Sequence, residues 1–213
     1  MAVILTLRVY DIKRTKNQYT KYLLFIDLKN AYDKVNHRRL FNKLTQLNIN
    51  KEIIGTIKLL YSKAKLKISS NNENINVNNG VLQGSLISPM LFDLYINDLI
   101  NELDKNSFDV LAYADDLCVL CDGKNQLINV LKIIDKWTEL NDIKVNKLKS
   151  GIMILKNNIE KNDNIDGYPI INEYKYLGIL INDKMNIQKH IGNIDKKLDE
   201  YFQRNYILNK NIF

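Results

Sequence analysis

The chain has 213 residues, of which 46% are hydrophobic and 26% are charged, as expected for a globular protein with room for one large domain. No apolar run reaches the roughly 20 residues of a membrane-spanning helix, and the start lacks a secretory signal pattern. We therefore expect an intracellular protein with no membrane partner, its compartment (nucleus and mitochondrion included) undetermined. The formal net charge of +7 biases the surface toward polyanions, chiefly nucleic acid.

The first part of the chain combines helical and strand patterns. Apolar residues at helical spacing predict a helix over residues 2–16, and the apolar run 22–28 predicts a buried strand. Asn36 is placed to cap a helix, and a second helix follows. The apolar residues of these two helices are Leu40, Phe41, Leu44 and Leu47, then Ile53, Ile54, Ile57, Leu60 and Tyr61. Alternation around an asparagine-rich turn predicts a hairpin that pairs residues 66–68 with residues 75–77.

The second part begins with a helix start, in which Ser88 would be the cap and Pro89 the first helical residue. The helix would span residues 89–103, and two apolar runs separated by Ala114-Asp115-Asp116 predict a second hairpin. The remaining predictions are strands at 108–113, 117–121, 151–155 and 174–181, a helix over 125–140, and a last helix with its apolar face from Ile187 to Tyr201.

The strongest of these elements follow the order β-α-β-β-α-β between residues 22 and 155. This order is typical of the split-βαβ arrangement, an α+β fold with an antiparallel sheet and helices packed on one face. The chain has two prolines and no Pro/Gly/Ser-rich linker. We therefore expect one continuous domain with an appended terminal helix.

The cysteines and histidines do not suggest a metal or disulfide framework. Cys118 and Cys121 are too few for a set of disulfides, and positions three apart on a strand point to opposite faces of a sheet. His37 and His190 have no neighbours at ligand spacing. We expect all four residues to be structural or exposed to solvent.

Three carboxylates lie where apolar strands end. Asp27 ends the first strand, and Asp115 and Asp116 lie between two others; each alone is also explained as a turn residue. In the split-βαβ arrangement the first strand lies beside the hairpin, so all three carboxylates would converge. Crowded carboxylates repel one another, and oxygen ligands favour Mg²⁺ or Mn²⁺. A pair of such ions about 4 Å apart supports in-line phosphoryl displacement, which makes nucleotidyl transfer our hypothesis.

Five segments, in order, carry more specific information. They are Phe25-Ile26-Asp27-Leu28-Lys29-Asn30-Ala31-Tyr32-Asp33, then Gly80-Val81-Leu82-Gln83-Gly84-Ser85-Leu86-Ile87-Ser88-Pro89, then Tyr113-Ala114-Asp115-Asp116, then Asn146 with Lys149-Ser150, and finally Tyr176-Leu177-Gly178. Together they resemble the motifs of reverse transcriptases of the non-LTR retrotransposon and group II intron type. Tyr-Ala-Asp-Asp alone would be weak evidence, whereas five motifs in order are specific.

The resemblance implies a polymerase palm that performs RNA-directed DNA synthesis with two Mg²⁺ or Mn²⁺ ions, an RNA template, a DNA primer and dNTPs. Asp27 and Asp115 would ligate both metals, the main-chain carbonyl of Leu28 would help, and Asp116 would support the site. Tyr32 would block a ribose 2′-hydroxyl, because a rigid ring against C2′ leaves no room for an oxygen. Core packing is the alternative explanation of Tyr32.

The resemblance also implies roles in substrate binding. Gln83 would contact the incoming nucleotide and the template, and Gly84 would let the backbone approach that strand. Lys149 would approach the triphosphate as a charge or a proton donor, although a solvated lysine also explains it. The last motif, Tyr176, Leu177 and Gly178, would lie in a primer-gripping hairpin, for which a plain buried strand is the alternative.

The resemblance divides the chain into regions. Residues 22–33 and 81–181 would form the palm, residues 1–21 and 34–80 partial fingers with supporting helices and a hairpin, and residues 182–213 the start of a thumb-like helix. Only 26 residues precede Asp27, fewer than complete fingers need, so we expect a fragment or a truncated copy of an element. Asp142 replaces a glycine that many relatives have in the fourth motif. The pattern does not indicate an oligomeric state.

Three rival functions stay open. A catalytically inactive nucleic-acid-binding remnant would keep the basic surface, and the short fingers favour it. An RNA-dependent RNA polymerase shares the palm and the metals, but such enzymes usually carry Gly-Asp-Asp and a small or polar group near the position of Tyr32. A carboxylate-pair hydrolase would leave the Gln83-Gly84 and Tyr176-Leu177-Gly178 segments without a purpose.

Overall fold

A computed structural model of the chain describes residues 21–67, 74–76, 79–155 and 164–184. The predicted helix over residues 2–16, His190 and the predicted thumb-like helix after residue 184 lie outside the described residues. Within the described ranges, no helix is long and apolar enough to cross a membrane.

The predicted core elements all form, with bounds within two residues of those expected. In chain order the described elements are β1 Lys21–Asp27, α1 Ala31–Lys34, α2 His37–Gln46, α3 Lys51–Lys63, β2 Lys65–Lys67, β3 Asn74–Asn76, α4 Ser88–Lys105, β4 Asp109–Tyr113, β5 Asp116–Asp122, α5 Lys124–Asn141, β6 Gly151–Leu155, β7 Asn164–Ile165, β8 Tyr168–Pro169, β9 Glu173–Tyr176 and β10 Ile179–Asn182.

The central sheet has the strand order β4-β5-β1-β6, and every neighbouring pair is antiparallel. This is the order of the split-βαβ arrangement, with α4 and α5 as the two crossover helices, so the predicted fold class is confirmed. Strand β1 lies in the middle of the sheet, and all of its residues except Asp27 are buried. Its continuous apolar run follows from burial on both faces.

The two faces of the sheet have separate cores. On one face Leu24 and Ile26 pack with apolar residues of α4 and α5. On the other face Leu23 and Phe25 pack with residues of the hairpin formed by β9 and β10. The helices therefore cover one face, as predicted. The hairpin covers the second face, a position that the sequence did not indicate.

Several local predictions are confirmed. The Asn36 side chain caps α2 by accepting a hydrogen bond from the Arg39 amide at 3.0 Å. His37 is structural, because its Nε2 lies 2.8 Å from the Gly80 carbonyl oxygen. Strands β2 and β3 pair as the expected hairpin. Cys118 and Cys121 are both buried and belong to the cores on opposite faces of the sheet.

The prediction for the start of α4 is wrong. The residue before the helix is Ile87, and Ser88 is already helical. Its hydroxyl donates to the Leu82 carbonyl at 2.6 Å and makes no cap. Ser88 is 3% exposed, so the buried hydroxyl bonds to the nearest loop carbonyl, since an unpaired buried hydroxyl is costly.

Two other predictions need correction. Of the five apolar residues on the predicted face of α3, only Ile54 and Tyr61 are buried, because the helix contacts the core along a narrower stripe. Residues 174–181 are not one strand, as the apolar pattern predicted, but the hairpin that the resemblance implied. Leu177 and Gly178 both have positive φ, 47° and 86°, as in the two-residue turns that reverse a strand with little change in its apolar pattern.

Helix α5 is followed directly by Asp142, the residue that replaces the glycine of many relatives. Asp142 is left-handed, with φ 54° and ψ 34°. The Ile143 amide donates to the Thr138 carbonyl at 3.1 Å and the Asp142 amide to the Glu139 carbonyl at 3.3 Å. These are the two bonds of a Schellman motif, in which glycine is the usual left-handed residue.

We expect Asp142→Gly to raise the free energy of unfolding by about 0.5 kcal/mol, because a left-handed L-residue costs about 1–2 kcal/mol and the unfolded-state entropy of glycine offsets part of the gain. Asp142→Ala should lower it by a similar amount. Urea denaturation of both variants measures the difference.

Asp135 is the matched control, since it is an exposed aspartate inside the same helix. There alanine should be more stable than glycine by about 1 kcal/mol. The glycine variant should therefore be the more stable of the two at position 142, and the alanine variant the more stable at position 135. An alanine variant at 142 as stable as the glycine variant would contradict the left-handed cap.

Candidate active site

The end of β1 lies beside the start of β5. In the antiparallel register, Asp27 is directly opposite Asp116. Residues directly opposite each other point to the same face and have Cβ atoms about 4.5–5.5 Å apart. Asp115 precedes Asp116 in the two-residue turn between β4 and β5, where Ala114 has a φ of 53°. The fold thus brings together the three carboxylates that the sequence analysis singled out.

The electrostatics of this corner are unfavourable without a cation. Burial and then the neighbouring charges of Asp115 and Asp27 raise the pKa of the Asp116 carboxyl. All three aspartates are partly buried, so water screens their repulsion incompletely. Within the described ranges, no group of three or more His, Cys, Asp or Glu side chains already has an arrangement that would hold a metal ion.

A loop before β6 fastens the end of β1. The Asp27 amide donates to the Ser150 hydroxyl at 3.0 Å, and the Asp27 carbonyl accepts from the Asn146 amide at 2.8 Å. Leu28 forms an isolated bridge with Val145. The fourth motif of the sequence is therefore in direct contact with the first, and Lys149 lies exposed in the same loop.

Tyr32 is held against the core by one face of its ring. The ring stacks on that of Phe92 in α4, with centroids 4.5 Å apart and an angle of 14° between the planes. Phe92 is fully buried, whereas Tyr32 is partly exposed. Burial and the nearby charges of Asp115 and Asp93 raise the pKa of Tyr32. The phenol is thus neutral and lies within electrostatic range of Asp115.

The second motif lies against the first. The Gln83 side chain donates from Nε2 to Oδ1 of Asp33 at 2.8 Å. At Gly80, with φ 88°, a Cβ would lie 3.1 Å from the Cα of Asp33, so only glycine permits this approach. At Gly84, with φ 81°, a Cβ would meet nothing within 4 Å, which leaves open space above its backbone.

The hairpin of β9 and β10 packs against the sheet next to Asp27 and Asp116. The Tyr174 ring stacks on Phe25 at a centroid distance of 4.2 Å. Burial, then the charges of Asp116 and Asp27, raise the pKa of Tyr174 to about 12. Tyr176 is 1% exposed, and its hydroxyl donates toward the carbonyls of Leu111 and Asp116, at 3.2 and 3.4 Å.

The members of the last motif differ in exposure. The Tyr176 side chain is buried in the core on the hairpin side of the sheet. Leu177, which is partly buried, and Gly178, which is exposed, form the tip of the hairpin.

Two residues that shape the site had no role predicted from the sequence. Ser150 is one, and its position directly before the apolar strand β6 was the available signal. The other is Lys147, whose ammonium donates to the Asp166 carbonyl at 2.9 Å and lies 4.7 Å from the centroid of the Tyr168 ring. These contacts join the loop before β6 to the small hairpin of β7 and β8, which the sequence analysis did not predict.

Comparisons with known proteins agree with this arrangement. The family model described as "Reverse transcriptase (RNA-dependent DNA polymerase)" matches residues 5–181. A 115 kDa protein of the type-1 retrotransposable element R1DM of Drosophila melanogaster is 25% identical over 187 residues, which cover 82% of this chain and 18% of that protein. The RNA-directed DNA polymerase from mobile element jockey of the same species is 25% identical over 190 residues, 81% of this chain and 21% of that protein.

Solved structures show the same fold. Telomerase from Candida tropicalis, in complex with a TWJ fragment of telomeric RNA, superposes with a TM-score of 0.65 at 17% identity, covering 85% of this chain and 31% of that one. The corresponding complex from Candida albicans has a TM-score of 0.61 at 15% identity, with 88% and 34% covered. This likeness establishes an α+β fold of the reverse transcriptase palm type.

The chain spans about a fifth of the length of the two curated relatives, 18% and 21%. The matched region includes all five sequence motifs, from Phe25 to Gly178. The three aspartates, the stacked tyrosine and the loop before β6 all lie within it. The chain belongs to the reverse transcriptase family.

Proposed function

We propose that the chain is the catalytic palm of an RNA-directed DNA polymerase, which joins a deoxynucleotide to a primer end on an RNA template. One observation carries the proposal: the register of β1 and β5 places Asp27 opposite Asp116, next to the turn that contains Asp115. Membership of the family and the similarity to the RNA-directed DNA polymerase of mobile element jockey support it. The parent molecule would be a retroelement of the non-LTR type.

Two divalent ions, Mg²⁺ or Mn²⁺, would be held by Asp27, Asp115 and Asp116 with the carbonyl of Leu28. All four donors are oxygens, the ligand type that these hard ions prefer. Burial and then the negative charges of Asp115 and Asp27 raise the pKa of Asp116, and a bound cation would neutralise those charges. Such ions, when bound, activate a primer hydroxyl and stabilise charge on the phosphates. The protein contributes the fixed positions of the donors.

Tyr32 would select deoxynucleotides. Its ring is fixed by the stack on Phe92, and a ring fixed on one side cannot move away from a sugar that approaches its other side. Asp115 lies within electrostatic range of the phenol, so the ring is close to the carboxylates that would hold the triphosphate metals. A 2′-hydroxyl would meet the ring there.

The remaining motif residues would bind substrates. Gln83 is positioned by Asp33 beside the open backbone at Gly84, where the template base and the incoming dNTP would pass. Lys149 is exposed on the loop joined to Asp27 and would approach the triphosphate. Leu177 and Gly178 would contact the DNA primer from the hairpin tip. The net charge of +7 favours binding of both nucleic-acid strands.

The region boundaries follow from these assignments and are part of the proposal. Residues 22–33 and 81–181 would be the palm, because they contain the three aspartates and the loops that carry Gln83 and Lys149. Residues 34–80 would be partial fingers, together with residues 1–21. The segment after residue 181 would lead into a thumb.

Asp115→Asn should reduce primer extension on an RNA template with Mg²⁺ at least about a hundredfold, because a catalytic cation supplies several kcal/mol of charge stabilisation. Extension of a labelled DNA primer measures the rate. Asp135→Asn, an exposed aspartate in α5, is the matched control and should behave as the wild type. Equal background synthesis by the wild type and Asp115→Asn would support an inactive nucleic-acid-binding remnant instead.

Tyr32→Ala should lower the preference for dNTPs over rNTPs roughly 10- to 100-fold, the discrimination that one packed contact provides. The ratio of kcat/KM for the two substrates measures it. Tyr32→Phe keeps the ring and its stack on Phe92, so its preference should match that of the wild type. A wild-type chain that incorporates rNTPs as readily as dNTPs would point to an RNA-dependent RNA polymerase.

A further inference from the structure

We propose that Ser150 is a positioning residue that fixes Asp27 through its main chain and thereby sets the divalent-metal affinity of the site. This inference rests on the proposed function, because it assumes that Asp27 is a metal ligand. Ser150 itself contacts neither substrate nor metal in this proposal. It acts only through the strand end that it holds.

The ladder between β1 and β6 ends just before Asp27. Its last pair is Phe25 with Gly151. Strand β6 therefore provides no strand partner for Asp27, two residues further along β1. The Ser150 hydroxyl accepts the Asp27 amide at 3.0 Å in place of a strand carbonyl. The Asn146 amide donates to the Asp27 carbonyl at 2.8 Å in place of a strand amide. One side chain and one loop amide thus bond Asp27 between the last strand pair and the bridge of Leu28 with Val145.

Ser150 is itself firmly placed. It is 2% exposed, and its amide donates to the Asn146 carbonyl at 2.9 Å. The Lys149 amide donates to the same carbonyl at 3.0 Å. Asn146 therefore closes a tight turn that contacts Asp27 at one end and orients the Ser150 hydroxyl at the other.

The consequence for the site follows from how strand ends behave. A main-chain amide that loses its hydrogen-bond partner lowers the cost of local opening. Without the Ser150 hydroxyl, Asp27 would keep its carbonyl bond to the Asn146 amide but hold its carboxylate less firmly beside that of Asp116. Partners outside the ligand shell that orient a ligand commonly change metal affinity by 10-fold or more. Because the turn also contains Lys149, the same hydrogen bonds set the spacing between the carboxylates and that lysine.

The test is Mn²⁺ binding to the full chain, measured by calorimetry for Ser150→Ala, Ser150→Cys and Ser150→Thr. Alanine removes the acceptor, and cysteine replaces the oxygen with a larger sulfur that is a weak acceptor, so each should weaken binding about tenfold. Threonine retains the hydroxyl and should restore it. The matched control is Thr138→Val, which deletes another buried hydroxyl, one that bonds to the Asp135 carbonyl in α5 at 2.8 Å. It should bind Mn²⁺ as the wild type does.

A second readout does not depend on metal or activity. The Asp27 amide should exchange with solvent faster in Ser150→Ala and Ser150→Cys than in the wild type and Thr138→Val, while circular dichroism confirms that all fold. Unchanged exchange and unchanged Mn²⁺ binding in both variants would overturn the proposal. Equal weakening in Thr138→Val would also overturn it, because the effect would then be general loss of stability.

The outcomes separate this inference from the proposed function. A wild-type chain that extends no primer, yet binds Mn²⁺ in a Ser150-dependent way, would remove the proposed polymerase activity and keep the positioning role. A chain that extends primers with the same Mg²⁺ dependence in Ser150→Ala as in the wild type would keep the activity and remove the positioning role.

Discussion

The pairing of β1 with β5 places the carboxylates of Asp27 and Asp116 opposite each other at one end of a mostly apolar pair of strands, whose other end pairs Lys21 with Asp122. A slip of one residue would turn Asp27 toward the face covered by α4 and α5, where no cation or solvent could compensate its charge. The apolar residues of β1 do not prevent such a slip, since both of its faces are buried. The charged end of the strand therefore helps to specify the register that creates the site.

This arrangement places the negative charges of three aspartates close together, and the side chains packed beneath them are neutral. Burial and the other two aspartates raise the pKa of the Asp116 carboxyl. Beneath them lie neutral phenols, Tyr174 stacked on Phe25 and Tyr176 bonded to main-chain carbonyls. An enzyme that binds cations gains from such a site, because electrostatic strain in the free protein becomes attraction when the ions bind.

The rest of the site is made rigid by contacts between motifs that are distant in sequence. The Ser150 hydroxyl bonds to Asp27 across 123 positions, and Gln83 bonds to Asp33 across 50. Tyr32 is held by Phe92 of α4. Each side chain with a proposed role in binding or catalysis lies at the end of a regular element or in a short loop joined to one. Such placement gives the precision that positioning of reacting groups requires.

The local pattern of the sequence was sufficient to predict the order and type of the core elements and to place three aspartates at strand ends. Apolar periodicity and charges at strand ends are properties of neighbouring residues. The local pattern was not sufficient for Tyr176, Ser88 or Ser150. Their side chains are directed by partners such as Leu111, Leu82 and Asp27, and the second face of the sheet is covered by a hairpin whose apolar pattern equally fits one strand. Tertiary structure alone decided these contacts, since burial and hydrogen bonding across the sheet depend on residues that the local pattern does not include.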